Sequence, residues 1–157
     1  MHLGYNNTKA DYFMGSVKLE TVTDEQDLWV IVSDDVKWEK QCVAAVKQSN
    51  KILGMIKHKF VDRSKETVMA LYKSLVRPHL KYCISVWNPH LDKDIKLLEG
   101  VQRRATKLVE GINDWDYDDR LEYLWLSRLV TRQVTSDLIE TFKIMNNMYD
   151  INSELFF

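Results

Sequence analysis

Residues 71–111 read LYKSLVRPHLKYCISVWNPHLDKDIKLLEGVQRRATKLVEG, and their pattern sets the fold class. Pro78 lacks an N–H and crowds the preceding turn, so it breaks or restarts a helix that Leu71, Tyr72 and Leu75 have begun. Leu80–Trp87 is apolar and aromatic and stops at Asn88-Pro89. Asp92 or Asp94 then opens a long helix. Ile95, Leu98, Gln102, Ala105 and Leu108 recur along one side of it, with Lys93, Lys96, Arg103 and Lys107 on the other. Gly111 is suited to ending it.

The same period extends outward in both directions. Cys42, Val46, Leu53, Ile56 and Phe60 form an apolar stripe over Trp38–Phe60, and Lys40, Lys47, Lys51 and His58 lie opposite. Ser64 can cap the helix that carries Val68. Downstream, Asp116 with Asp119 suggests a capped short helix bearing Leu121 and Leu124. Ser127 begins a last helix, with Val130, Val134, Leu138, Phe142 and Met145 expected inward. The first third reads differently: Tyr12–Met14 and Val17–Val22 flank Gly15-Ser16, a hairpin signal, and Leu28–Val32 is a short apolar run suited to a strand. The expectation is an α+β fold, mostly α: an N-terminal hairpin and strand over residues 1–36, then about five helices over residues 37–157. No internal repeat, low-complexity run or dividing linker is evident.

At 157 residues the chain fits one domain. Its net charge of −1 hides a strong asymmetry. Residues 1–36 carry two Lys/Arg against seven Asp/Glu, residues 37–111 sixteen against seven, and residues 112–157 four against nine. A +9 middle between two −5 ends implies an anionic partner, or ends that fold back as counter-charge. No run approaches the roughly 20 apolar residues of a membrane span, and the N-terminus lacks the apolar core of a secretory signal. With Cys42 and Cys83 expected as buried free thiols on apolar helix faces, the reading is an intracellular chain, nucleus and cytoplasm not distinguished.

Chemistry-bearing motifs are few. Asp34-Asp35 has the look of a metal-binding carboxylate pair, but a third ligand on an upstream strand is missing, and helix capping is the expected role. The four histidines show no ligand spacing, so neither a metal site nor a cofactor is expected. No Gly-rich phosphate loop, nucleophile elbow or sequence-adjacent Cys–His pair occurs. The candidates are instead basic: Lys40, Lys47, Lys51, Arg77, Lys81, Lys93, Lys96, Arg103, Arg104 and Lys107. If the two long helices pack side by side, their lysine faces form one positive surface suited to phosphates. Tyr82 and Trp87 could stack on unpaired bases. The competing account is that each basic residue populates a solvated helix face and each aromatic belongs to the core.

The 71–111 stretch also resembles a block downstream of the polymerase centre in reverse transcriptases of LINE-like non-LTR retrotransposons, of the jockey and chicken-repeat type. The resemblance extends to MHLGYNN (1–7), taken as an entering strand, to DLWVIVSDDVKW (27–38) and RSKETVMALYKSLVRPHL (63–80), and to YDDRLEYLWLSRL (117–129) and SDLIETFKIMNNMYD (136–150). It implies that residues 1–36 are the last palm strands and residues 37–157 a thumb-like region that holds the backbone of an RNA–DNA duplex or a single strand. The family's catalytic carboxylates would precede residue 1, and this chain alone would not polymerise. Arg103-Arg104 corresponds to the family's Arg-Arg segment, and Val76–Tyr82 to its basic-aromatic helix. Trp29 and Trp125 stand where the family has glycine, and its paired arginines are thinned to Arg132 and Gln133. These departures fit a decayed element copy or one retained for another use. The alternative function is a non-catalytic helical protein-interaction module, or a product with no function.

Overall fold

A computed structural model describes residues 1–4 and 6–149 of the chain. The architecture is α+β and mostly helical. Two antiparallel hairpins come first. β1 (Phe13–Met14) pairs with β2 (Val17–Lys18) through Gly15-Ser16, where Gly15 has φ +64°, so the expected turn forms. Its strands are only two residues long. The side chains of Tyr12, Phe13, Met14 and Val17 are exposed, because no second layer among the described residues covers them. The 1–7 segment forms no strand among its described residues, and its Gly4 N–H donates to the Asp34 carbonyl.

The second hairpin departs from expectation. β3 (Asp24–Asp27) pairs with β4 (Val30–Ser33), and Leu28 and Trp29 are the two turn residues rather than the start of a strand. The sequence Asp24-Glu25-Gln26-Asp27 has no apolar alternation, so nothing in the pattern marks it as a strand. Its partner supplies the apolar side, with Val30 in the core. This hairpin docks on the first long helix: the Ile31 N–H donates to Gln41 Oε1 (2.9 Å), and Lys40 bridges to Asp24 (2.5 Å).

The helices are α1 (Glu39–Lys59), α2 (Lys65–Leu71), a π-helical turn (Tyr72–Val76), α3 (Arg77–Lys81), α4 (Ile84–Trp87), α5 (Asp92–Thr106), α6 (Tyr117–Tyr123) and α7 (Leu129–Met145). Ser64 caps α2 as expected, accepting from the Thr67 N–H (3.4 Å). Asp34-Asp35 does not cap α1, whose N-cap is Trp38. Asp35 instead closes a turn, accepting from the Lys37 N–H (3.0 Å) and pairing with the Lys37 ammonium (2.9 Å). Asp116 likewise makes no side-chain cap to α6.

Pro78 does not break the chain of helical turns. The turn ahead of it widens to π geometry, which accommodates the missing donor and the ring. The extra residue shifts the buried face, so Val76 is buried where Leu75 was expected, and Leu75 is exposed. Most of the core comes from α1 to α5, with Cys42, Leu53, Ile56, Val68, Tyr72, Val76, Leu80, Trp87, Leu98, Val101 and Ala105, and Val30, Val109, Ile112, Leu124 and Leu129 join it. Phe60, expected in the α1 stripe, is exposed beyond the helix end. Cys83 lies between α3 and α4 with φ +50°, half-buried and not on a helix face.

α7 is turned over relative to the sequence reading. Leu129 and Gln133 are its buried residues, whereas Val134, Leu138, Phe142 and Met145 face outward. A polar network dictates this orientation. Glu99 accepts from the Leu129 N–H (2.8 Å) at the start of α7, and Gln102 donates to the Ser127 carbonyl (3.0 Å).

Candidate nucleic-acid interface

α1 packs more extensively on α5 than on any other element. Two cross-links show their relative direction: Lys93 bridges to Glu39, and Arg104 Nε donates to Asn50 Oδ1 (3.1 Å). Both join residues 54 positions apart, so the helices run parallel in fixed register. Each buries one face in the common core and turns its basic face away from it.

The ten candidates divide into four groups. Lys40 and Lys93 are neutralised by Asp24 and Glu39, and hydrogen bonding to those carboxylates raises both lysine pKa values. Arg104 is committed to Asn50. Lys47 and Lys51 of α1, with Lys96, Arg103 and Lys107 of α5, are exposed, and none has an ion-pair partner among the described residues. All five lie off the buried face of their helix, with Lys47 beside Asp34 and Asp35 at the start of α1 and Lys96 and Arg103 on the side of α5 towards α7. Counter-charge from the acidic ends reaches the basic middle, among the described residues, only at Lys37 and Lys40.

Arg77 and Lys81 lie elsewhere, one turn apart on α3 and half-buried. Burial lowers both pKa values, and the charge of Arg132 on α7 lowers them further. Three cations therefore repel one another with no anion paired to any of them among the described residues, a second place where a phosphate would be stabilised. Arg132 and Arg128 were missed because they fall in a net-acidic third of the sequence. Their i, i+4 spacing was the available signal.

A groove of about 560 Å³ runs between α5 and the start of α7, lined in part by Lys96, Arg103 and Arg128. Arg103 stacks over the Tyr117 ring at 4.5 Å, and Arg128 is held by Asp118 (2.6 Å). Beneath it lies the buried network. The Tyr117 hydroxyl donates to Glu99, the Tyr72 hydroxyl to Gln102 Oε1 (2.8 Å), and Gln102 Nε2 to the Tyr117 oxygen (3.2 Å). Burial, together with the Glu99 hydrogen bond, pushes the Tyr117 pKa well above the ordinary phenol value.

Of the two aromatics expected to meet bases, Trp87 is fully buried and donates its indole N–H to the Tyr82 carbonyl (2.7 Å). It belongs to the core. Tyr82 is about half exposed and donates its hydroxyl to the Leu28 carbonyl (3.0 Å). Burial pushes the Cys42 thiol up to about 12, so it stays protonated. Among the described residues no helix is long and apolar enough to cross a membrane, and no group of His, Cys, Asp and Glu could hold a metal ion. No family model, curated protein or solved structure matches the chain.

Proposed function

We propose that this chain is the thumb-like part of a reverse transcriptase of non-LTR retrotransposon type, inactive in polymerisation by itself, and that it binds nucleic-acid phosphates without sequence preference. The observation that carries the binding reading is the set of five exposed cations without an ion-pair partner among the described residues, Lys47, Lys51, Lys96, Arg103 and Lys107, on two parallel packed helices. Lysines dominate and no bidentate base-reading set is present, so the contacts position a backbone rather than read bases. The resemblance quoted above carries the family reading. It is supported by backbone geometry: Trp29 and Trp125, at the two family glycine positions, have φ +66° and +53°.

Affinity on the order of 10⁻⁴–10⁻⁶ M near physiological salt is expected. The test is fluorescence anisotropy with RNA–DNA duplex and single strands, comparing wild type with a Lys96→Ala, Arg103→Ala, Lys107→Ala variant. Arg104 is kept because it ties α5 to α1. The variant should bind every sequence more weakly by about the same factor. Unchanged binding would reduce the basic faces to a solvated surface.

One observation favours a second reading, a protein-interaction module. The outer face of α7 exposes Leu138 by 65% and Phe142 by 62%, along with Val134, Ile139 and Met145. Association through that face would be nearly insensitive to salt, unlike phosphate binding.

A further inference from the structure

We propose that the cleft between the β3–β4 turn and helices α1 and α3 holds one unpaired nucleobase of a single-stranded nucleic acid. This rests on the phosphate-binding reading and specifies which form of nucleic acid that surface accepts. The cleft encloses about 590 Å³, within the range of small-ligand sites. Three ring side chains line it, Trp29, Tyr82 and His79. Trp29 is 78% exposed at the tip of the turn, and Tyr82 is fastened to the same turn through the Leu28 carbonyl. Aromatic faces bind bases by stacking, whatever their identity.

The polar groups of the cleft match a base edge. The side-chain amides of Gln26 and Gln48 have no hydrogen-bond partner among the described residues, and each offers an acceptor and two donors. Gln41 has already given its amide oxygen to the Ile31 N–H. Charge completes the arrangement. Ala44 and Gln48 form the α1 side of the cleft, and Lys47 and Lys51 follow each by three residues, next to them on the helix surface. Two cations with no ion-pair partner among the described residues thus border the cleft where the phosphates flanking an inserted base would run. A duplex keeps its bases stacked and paired, so it engages the lysines without filling the cleft.

Trp125 provides an internal control. It is another exposed tryptophan at positive φ, but it does not line the cleft. Trp29→Gly and Trp125→Gly relieve the same backbone strain, so neither should fail to fold. Binding of a short oligothymidylate and of an abasic oligomer of equal length is measured for wild type and both variants. Wild type and Trp125→Gly should prefer the base-bearing oligomer by about fivefold or more, and Trp29→Gly should lose that preference while keeping its abasic affinity. Equal binding of both oligomers by wild type, or an undiminished preference in Trp29→Gly, overturns the cleft assignment alone and leaves the cleft to another occupant. Failure of wild type to bind even the abasic oligomer at low salt overturns the phosphate reading, and this inference with it.

Discussion

Trp125 places the bulkiest side chain on a backbone conformation that costs glycine nothing. It follows the C-cap of α6, and the surrounding hydrogen bonds form a Schellman motif: the Leu126 N–H reaches the Leu121 carbonyl (2.9 Å), and the Trp125 N–H the Glu122 carbonyl (3.1 Å). At φ +53° its Cβ is strained, and at 87% exposure its indole contributes little packing. Trp125→Gly should therefore stabilise the fold by roughly 1 kcal/mol, read as a higher denaturant midpoint; a lower one would mean that the indole has packing the structure does not show. On α1, Leu53 is buried and Lys51, two residues away, is exposed. Leu53→Ala should cost roughly 2–5 kcal/mol, and Lys51→Ala less than about 0.5 kcal/mol. Equal midpoints would mean that the helix face is assigned wrongly.

Among the elements, α7 owes its orientation to polar groups rather than to its apolar stripe. Gln102 joins Tyr72, Tyr117 and the Ser127 carbonyl, and Glu99 holds the first N–H of the helix. Gln102→Ala would leave the Tyr72 hydroxyl unsatisfied in the interior and remove the part-buried bond to the Ser127 carbonyl, and should cost roughly 1–3 kcal/mol. A loss below about 0.5 kcal/mol in thermal or chemical unfolding would remove the network from its anchoring role. The same network marks where the sequence was legible. The stripes of α1 and α5 could be read because their apolar residues recur at helical spacing and do enter the core. The α7 stripe recurs just as clearly yet points outward, because periodicity identifies a face and not what covers it. The shift from Leu75 to Val76 was hidden for a related reason: one extra residue in a π turn changes the register without changing composition. β3 was hidden because its four residues are all polar or acidic. Within the candidate site, the lysine faces were visible as spacing. The losses of Lys40 and Lys93 to carboxylates, and the gain of Arg132, depend on contacts between segments far apart in sequence.

For the molecule as a whole, charge is arranged so that the α1–α5 layer keeps its positive surface while the acidic termini neutralise little of it. Asp34 and Asp35 sit at a turn, with Asp35 bound to Lys37. Primer extension on an RNA template with Mg²⁺ or Mn²⁺ should accordingly stay at the level of a heat-killed control. Incorporation abolished by Asp34→Ala with Asp35→Ala would contradict that. The binding proposal is tested most directly by the salt dependence of single-strand affinity. With five cations that have no ion-pair partner among the described residues, the logarithm of the association constant should fall with the logarithm of salt concentration at a slope of about −3.5, and the Lys96→Ala, Arg103→Ala, Lys107→Ala variant should bring it to about −1.4. A slope near zero, or one that the variant leaves unchanged, would contradict phosphate binding by this surface.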